Sequence, residues 1–114
     1  MRDISAEEVH KLVDGDENAV LIDVLSPNSF ATKHIPRSVS IPEADPRFLE
    51  RVEKKVPTKE TPVVVYCASP ECEASVKAAR RLEEAGYEDV REFRGGLEEW
   101  ESRGYTFDAP SGAI

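Results

Sequence analysis

The chain has 114 residues, 39% apolar and 33% charged, enough for one domain with its own core and no disulfide or metal staple. Six glycines and eight prolines exclude collagen-like and low-complexity chains, and the apolar content excludes wholesale disorder. A formal charge of −8 argues against nucleic acid or an anionic membrane as the main partner, since either would be repelled over most of the surface. The apolar runs fall far short of the ~20 residues of a membrane span. Met1-Arg2-Asp3-Ile4 opens no signal segment. The reading is a soluble, cytoplasmic protein.

Ser5-Ala6-Glu7-Glu8 fits a capping box, and Val9, Leu12 and Val13 follow at helical spacing, predicting a helix over 5–14 that Gly15-Asp16 ends. Residues 19–24 form a continuous apolar run closed by Asp23-Val24, the mark of a strand buried on both faces. Ser26-Pro27 caps a short helix through Lys33. A short strand is expected over Val39-Ser40-Ile41, then a helix over 44–55 with Phe48, Leu49 and Val52 on one face. The strongest strand runs from Pro62 to Cys67, and the longest helix from Glu73 to Ala85, stopped by Gly86. Residues 90–93 make a last strand, and Gly95-Gly96 turns it into a short helix carrying Leu97 and Trp100. The expected domain is 1–108, with 109–114 a loose tail.

Strands separated by helices imply right-handed crossovers and a mostly parallel sheet, whose ligands bind outside the carboxyl ends of the strands. Cys67 stands at such a junction. Its sulfur is expected above the loop Ala68, Ser69, Pro70, Glu71, Cys72 and Glu73, with a helix start behind it. Backbone N–H groups there stabilise a thiolate and any anion it carries. Taken alone, this pattern fits a nucleophile and a small residue ending a strand equally well. Cys67 and Cys72 make no disulfide framework, and with only His10 and His34 as further soft ligands no zinc site is expected. Arg94 ends the last strand on the same edge as Cys67 and is a candidate for substrate binding; Arg37 is a second.

Asp23-Val24, Phe30 and His34-Ile35-Pro36-Arg37-Ser38, with Ile41-Pro42 behind, resemble the first signature of the rhodanese-like domain. Val64-Val65-Tyr66-Cys67, its loop and residues 78–86 resemble that family's active-site strand, loop and helix. Gly95-Gly96-Leu97-Glu98-Glu99-Trp100 resembles its closing motif. The resemblance, which runs over residues 4–107, implies an α/β fold with a central five-stranded sheet and helices on both faces. It also implies a cofactor-free sulfurtransferase in which the cysteine matching Cys67 carries a persulfide. Its partners would be a small sulfur donor and a thiol, cyanide-like or protein acceptor, and the chain is expected to be a monomer.

The departures from the pattern bear on the donor. Cys72 stands where a basic residue is common, Pro70 and Arg37 where glycine is, and Leu25 where arginine is. With Glu71 and Glu73 flanking the loop, weak use of thiosulfate is expected. Glu73, six residues after Cys67, stands where the phosphatases of this fold carry an arginine, which opposes phosphate chemistry. Cys72 either fills the first turn of the helix or resolves an oxidised Cys67. Free thiols are expected at rest, with Cys67 pointing into the loop amides and Cys72 toward the helix. Two other readings stay open: a non-catalytic binding or regulatory module, and a thiol–disulfide protein using Cys67 and Cys72.

Overall fold

The computed structural model describes residues 1–15 and 18–108. Strands β1 (Arg2–Asp3), β2 (Val20–Asp23), β3 (Val39–Ser40), β4 (Val63–Tyr66) and β5 (Val90–Phe93) alternate with helices α1 (Ala6–Asp14), α2 (Pro27–Thr32), α3 (Phe48–Lys55), α4 (Ala74–Glu84) and α5 (Gly96–Ser102). The sheet order is β1-β5-β4-β2-β3, and every neighbouring pair is parallel. Asp23 pairs with Tyr66, and Tyr66 with Phe93, so the three central strands end level with one another. The residues that follow them therefore share one edge.

Successive residues of a strand face opposite sides of the sheet, and here both sides are covered. On one, Ile22, Val24, Val63, Val65 and Val90 pack under Phe48 and Val52 of α3 and Ala78, Ala79 and Leu82 of α4. On the other, Leu21, Val64, Tyr66 and Phe93 meet Ala6 and Val9 of α1 and Leu97 and Trp100 of α5. All four residues of β4 are buried, as a strand packed on both faces requires. The segment after α5 folds back: Trp100 Nε1–H donates to the Thr106 carbonyl at 2.9 Å, and residues 34 and 108 exchange backbone hydrogen bonds.

Local signals act as read at several places. The Ser5–Glu8 capping box makes both of its bonds, and Ser26 with Pro27 caps α2. Gly86, with φ +99°, ends α4. Two elements differ. β1 is two exposed residues with no pattern of their own; only the family resemblance called for a fifth strand. α3 begins at Phe48 rather than at residue 44. Pro46 disfavours helical backbone at Asp45, whose carbonyl and carboxylate accept the N–H groups of Phe48 and Arg47 at 2.9 and 2.8 Å. The expected stop at Asp16 and the expected loose tail at 109–114 lie outside the described residues. Among the described residues no helix is long and apolar enough to cross a membrane.

Candidate active site

Cys67 is the first residue beyond β4, on the same face as Val63 and Val65, and only 1% exposed. The chain then turns: Cys72 N–H donates to the Ser69 carbonyl at 3.1 Å. Pro70 follows the first residue of that turn, where its fixed φ fits and its missing N–H costs nothing. Ala68, Pro70, Glu71 and Glu73 are exposed, and Ser69 and Cys72 half-buried. Glu73 precedes α4 without capping it through its side chain.

The loop is pinned from the far side by α5. Leu97 and Glu98 N–H groups, unpaired within their own helix, donate to the carbonyls of Cys67 and Ala68 at 3.0 and 2.9 Å. Gly96 allows this approach. Its φ is +59°, and a Cβ there would lie 2.2 Å from the Cys67 carbonyl oxygen. Glycine is the residue that meets both demands.

Cys67 and Cys72 form a disulfide across a Cα separation of 6.4 Å. This corrects the expectation of free thiols with Cys72 turned toward the helix. The Ser69–Cys72 turn reverses the chain and returns the second sulfur to the first. It also engages the Cys72 N–H, which is thereby withdrawn from any anion cradle.

Behind the sulfur lies a buried polar chain that the sequence reading missed. Cys67 Sγ sits 3.6 Å from Ser75 Oγ, and Ser75 O–H donates to Glu92 Oε2 at 2.8 Å. Ser75 and Glu92 are each 1% exposed. Arg94 Nη1 lies 3.9 Å from Glu92 Oε1 and carries the chain outward, its own side chain mostly exposed. Register explains the meeting: Glu92 pairs with Val65, two residues before Cys67 and on the same face, while Ser75 lies in the first turn of α4 above them. The available signal was a glutamate two residues after Val90, at an inward position of a buried strand.

A second polar cluster occupies the opposite face. Ile35 N–H donates to Tyr66 Oη at 3.1 Å, Tyr66 Oη lies 2.9 Å from Ser38 Oγ, and Ser38 O–H donates to the Ile35 carbonyl at 2.6 Å. Asp23 Oδ1 accepts the Leu25 N–H at 2.9 Å, while its buried Oδ2 has no hydrogen-bond partner among the described residues. Burial raises the Asp23 carboxyl above its ordinary range. Burial, and then the Asp23 charge, push the Tyr66 phenol up as well.

The two candidate arginines separate. Arg94 lies on the Cys67 edge. Arg37, at φ +70°, sends its guanidinium to the carbonyls of Leu12, Val13 and Gly15 at 3.4, 3.0 and 2.7 Å. Residue 37 precedes β3 and so lies at the amino edge of the sheet, opposite Cys67. The unpaired carbonyls closing α1 hold it there, away from the edge that carries Cys67. The histidines are engaged elsewhere, His10 stacked on Tyr105, and His34 stacked on Phe30, with Nδ1 2.8 Å from the Phe30 carbonyl. Among the described residues no cluster of three or more His, Cys, Asp or Glu side chains is placed to hold a metal ion.

A family model described as the rhodanese-like domain matches residues 5–103. The thiosulfate sulfurtransferase GlpE of Pseudoalteromonas translucida is 33% identical over 100 residues, covering 87% of this chain and 88% of the relative. The adenylyltransferase and sulfurtransferase UBA4 of Candida albicans is 29% identical over 102 residues; the match takes in 85% of this chain but 23% of that longer relative. A solved thiosulfate sulfurtransferase from Pseudomonas aeruginosa superposes with a TM-score of 0.86 at 29% identity, covering all of this chain and 22% of the other.

Proposed function

The chain belongs to the rhodanese-like domain family, and on that premise we propose that it is a sulfurtransferase whose nucleophile is Cys67. The observation that carries the reading is a buried cysteine at the carboxyl end of the central strand, at the mouth of a loop tied to two helix starts. Ligands of parallel sheets bind at this edge, and a thiolate there attacks as the nucleophile.

In the reduced protein the Cys67 thiolate attacks the sulfane sulfur of a donor. The donor's bond to that sulfur breaks, the remainder leaves as an anion, and Cys67 carries a persulfide. An acceptor thiolate then takes the outer sulfur, and Cys67 leaves again as a thiolate. The acceptor class is a small thiol, a cyanide-like nucleophile or a protein thiol. Arg94 stands at this edge as the candidate cation for an anionic donor. With Glu71 and Glu73 exposed on the loop and Cys72 supplying no charge, a dianion such as thiosulfate is disfavoured against less charged donors.

The observed disulfide supports a second exit for the persulfide. Cys72 thiolate attacks Cys67 Sγ, the bond to the outer sulfur breaks, hydrosulfide leaves, and the two cysteines close. An external dithiol then returns both to the thiol form.

Intact-mass analysis of reduced protein incubated with thiosulfate, mercaptopyruvate or a low-molecular-weight persulfide tests both steps. Wild type gains one labile sulfur atom, Cys67→Ser gains none, and Cys72→Ser holds its sulfur longer because the internal exit is closed. Equal loading of the Cys67→Ser variant overturns the assignment. A wild type that takes no sulfur but exchanges its disulfide with dithiols points instead to a thiol–disulfide protein.

A further inference from the structure

We propose that Ser75 and Glu92 are the proton path of Cys67, Ser75 Oγ relaying the thiol proton and the Glu92 carboxylate receiving it. The proposal rests on the reading of Cys67 as nucleophile and deepens it. A carboxylate in the layer that holds Val63, Val65, Val90 and Leu82 is costly to bury, and apolar residues of similar size often replace such groups without loss of stability. The Glu92 carboxylate meets two side chains, Ser75 and the more distant Arg94. Among the described residues it ties no chain segment to another through the backbone. Its contacts lead to Cys67 Sγ at the sheet edge.

The order of donors fits a relay. Ser75 O–H already points at Glu92 Oε2, which leaves the serine oxygen free to accept from Cys67 at 3.6 Å. In the disulfide the sulfur has no proton to give. On reduction the thiol proton meets the Ser75 oxygen, and the Ser75 proton moves to Glu92 as Cys67 becomes the thiolate. The thiolate then attacks the donor. When the acceptor later removes the outer sulfur, Cys67 departs as the thiolate and then takes the proton back from Glu92 through Ser75. No proton is gained or lost over the cycle. Glu92 meets Ser75 from α4 and Arg94 from just past the end of its own strand, and reaches Cys67, just past β4, through Ser75.

The test uses reduced protein carrying Cys72→Ser, so that no disulfide forms, and reads the pH profile of iodoacetamide alkylation at Cys67 beside that of sulfur transfer. Glu92→Gln keeps the shape and an oxygen for Ser75 while removing the charge and the proton acceptor. Its alkylation midpoint is expected to fall by about one pH unit, as for a thiol freed of a nearby negative charge, while kcat for sulfur transfer falls at least ~10-fold. Ser75→Ala, which breaks the relay but leaves the carboxylate, is expected to lose kcat to a similar extent, and the double variant to lose no more than either. An alkylation profile of Glu92→Gln that superposes on its parent, or losses that multiply in the double variant, overturns the relay. Absence of sulfur transfer in the parent overturns the sulfurtransferase reading instead, and the alkylation profiles still decide the relay.

Discussion

Two buried polar clusters flank the carboxyl edge of the sheet, and they are built in opposite ways. On the α1/α5 face, Asp23, Tyr66 and Ser38 turn to the backbone: the Leu25 N–H, the Ile35 N–H and the Ile35 carbonyl. On the α3/α4 face, Cys67, Ser75 and Glu92 meet through side chains alone. A polar group tied to the backbone of a distant segment holds that segment in register. One tied to a chain of side chains ending at a sulfur leaves the backbone alone and sets the state of that sulfur. On the proposed reading the first cluster is architecture and the second is chemistry, although similar atoms are buried to a similar depth.

The comparison breaks most severely at Gly96, where the two faces join. Gly96→Ala sets a Cβ against the Cys67 carbonyl in left-handed backbone. The expected loss is about 2–4 kcal/mol of stability, together with most of the sulfur transfer, as α5 lifts off the loop. Denaturant titration and transfer assays on the same sample check it; a variant of normal stability and rate would show that the staple is dispensable.

The sharper test is a pair. Tyr66→Phe leaves the buried Ile35 N–H without an acceptor and is expected to cost about 1–3 kcal/mol, with transfer per folded molecule within about twofold of its parent. Glu92→Gln is expected to do the reverse, moving stability by less than ~1 kcal/mol while losing transfer. If both variants lose stability and neither loses rate, the division between the clusters is wrong.

The smallest effect concerns pH. Burial raises the Asp23 carboxyl, so the folded protein favours its protonated form. The stability this contributes is fully present below the ordinary value of 3.8 and is lost as pH rises through the raised value. Asp23→Asn, which keeps an oxygen for the Leu25 N–H, should match wild type in acid and gain on it as pH climbs toward neutrality. Denaturant midpoints along that range check the sign. A variant that falls behind wild type at neutral pH would mean that the Asp23 charge is stabilising there.

Elements whose signals lie within a few residues were legible in the chain itself. The Ser5–Glu8 box, the buried run ending at Asp23, the strand into Cys67 and the stop at Gly86 are local because a cap, a pleat or a left-handed turn is set by neighbours in sequence. Cys67 was legible as a candidate for the same reason, since a strand end before a helix start is a local fact. The Gly95-Gly96 motif was visible, but its purpose was not, because the carbonyl that excludes a Cβ belongs to Cys67, 29 positions away along the chain from Gly96.

What tertiary structure alone decided is who meets whom. β1 is a strand because β5 offers it an edge, not because Arg2-Asp3 has a pattern. Arg37 goes to the end of α1 because unpaired carbonyls draw its guanidinium, a pull that a separation of 22 positions from Gly15 conceals. Ser75 and Glu92 read separately as a helix serine and a strand glutamate. They meet Cys67 only because parallel register sets Glu92 beside Val65 and α4 lays its first turn over both. Local sequence sets the conformation of each segment through short-range sterics and hydrogen bonds. Which side chains share a buried space depends on how all the segments pack, and no stretch of the chain holds that information alone.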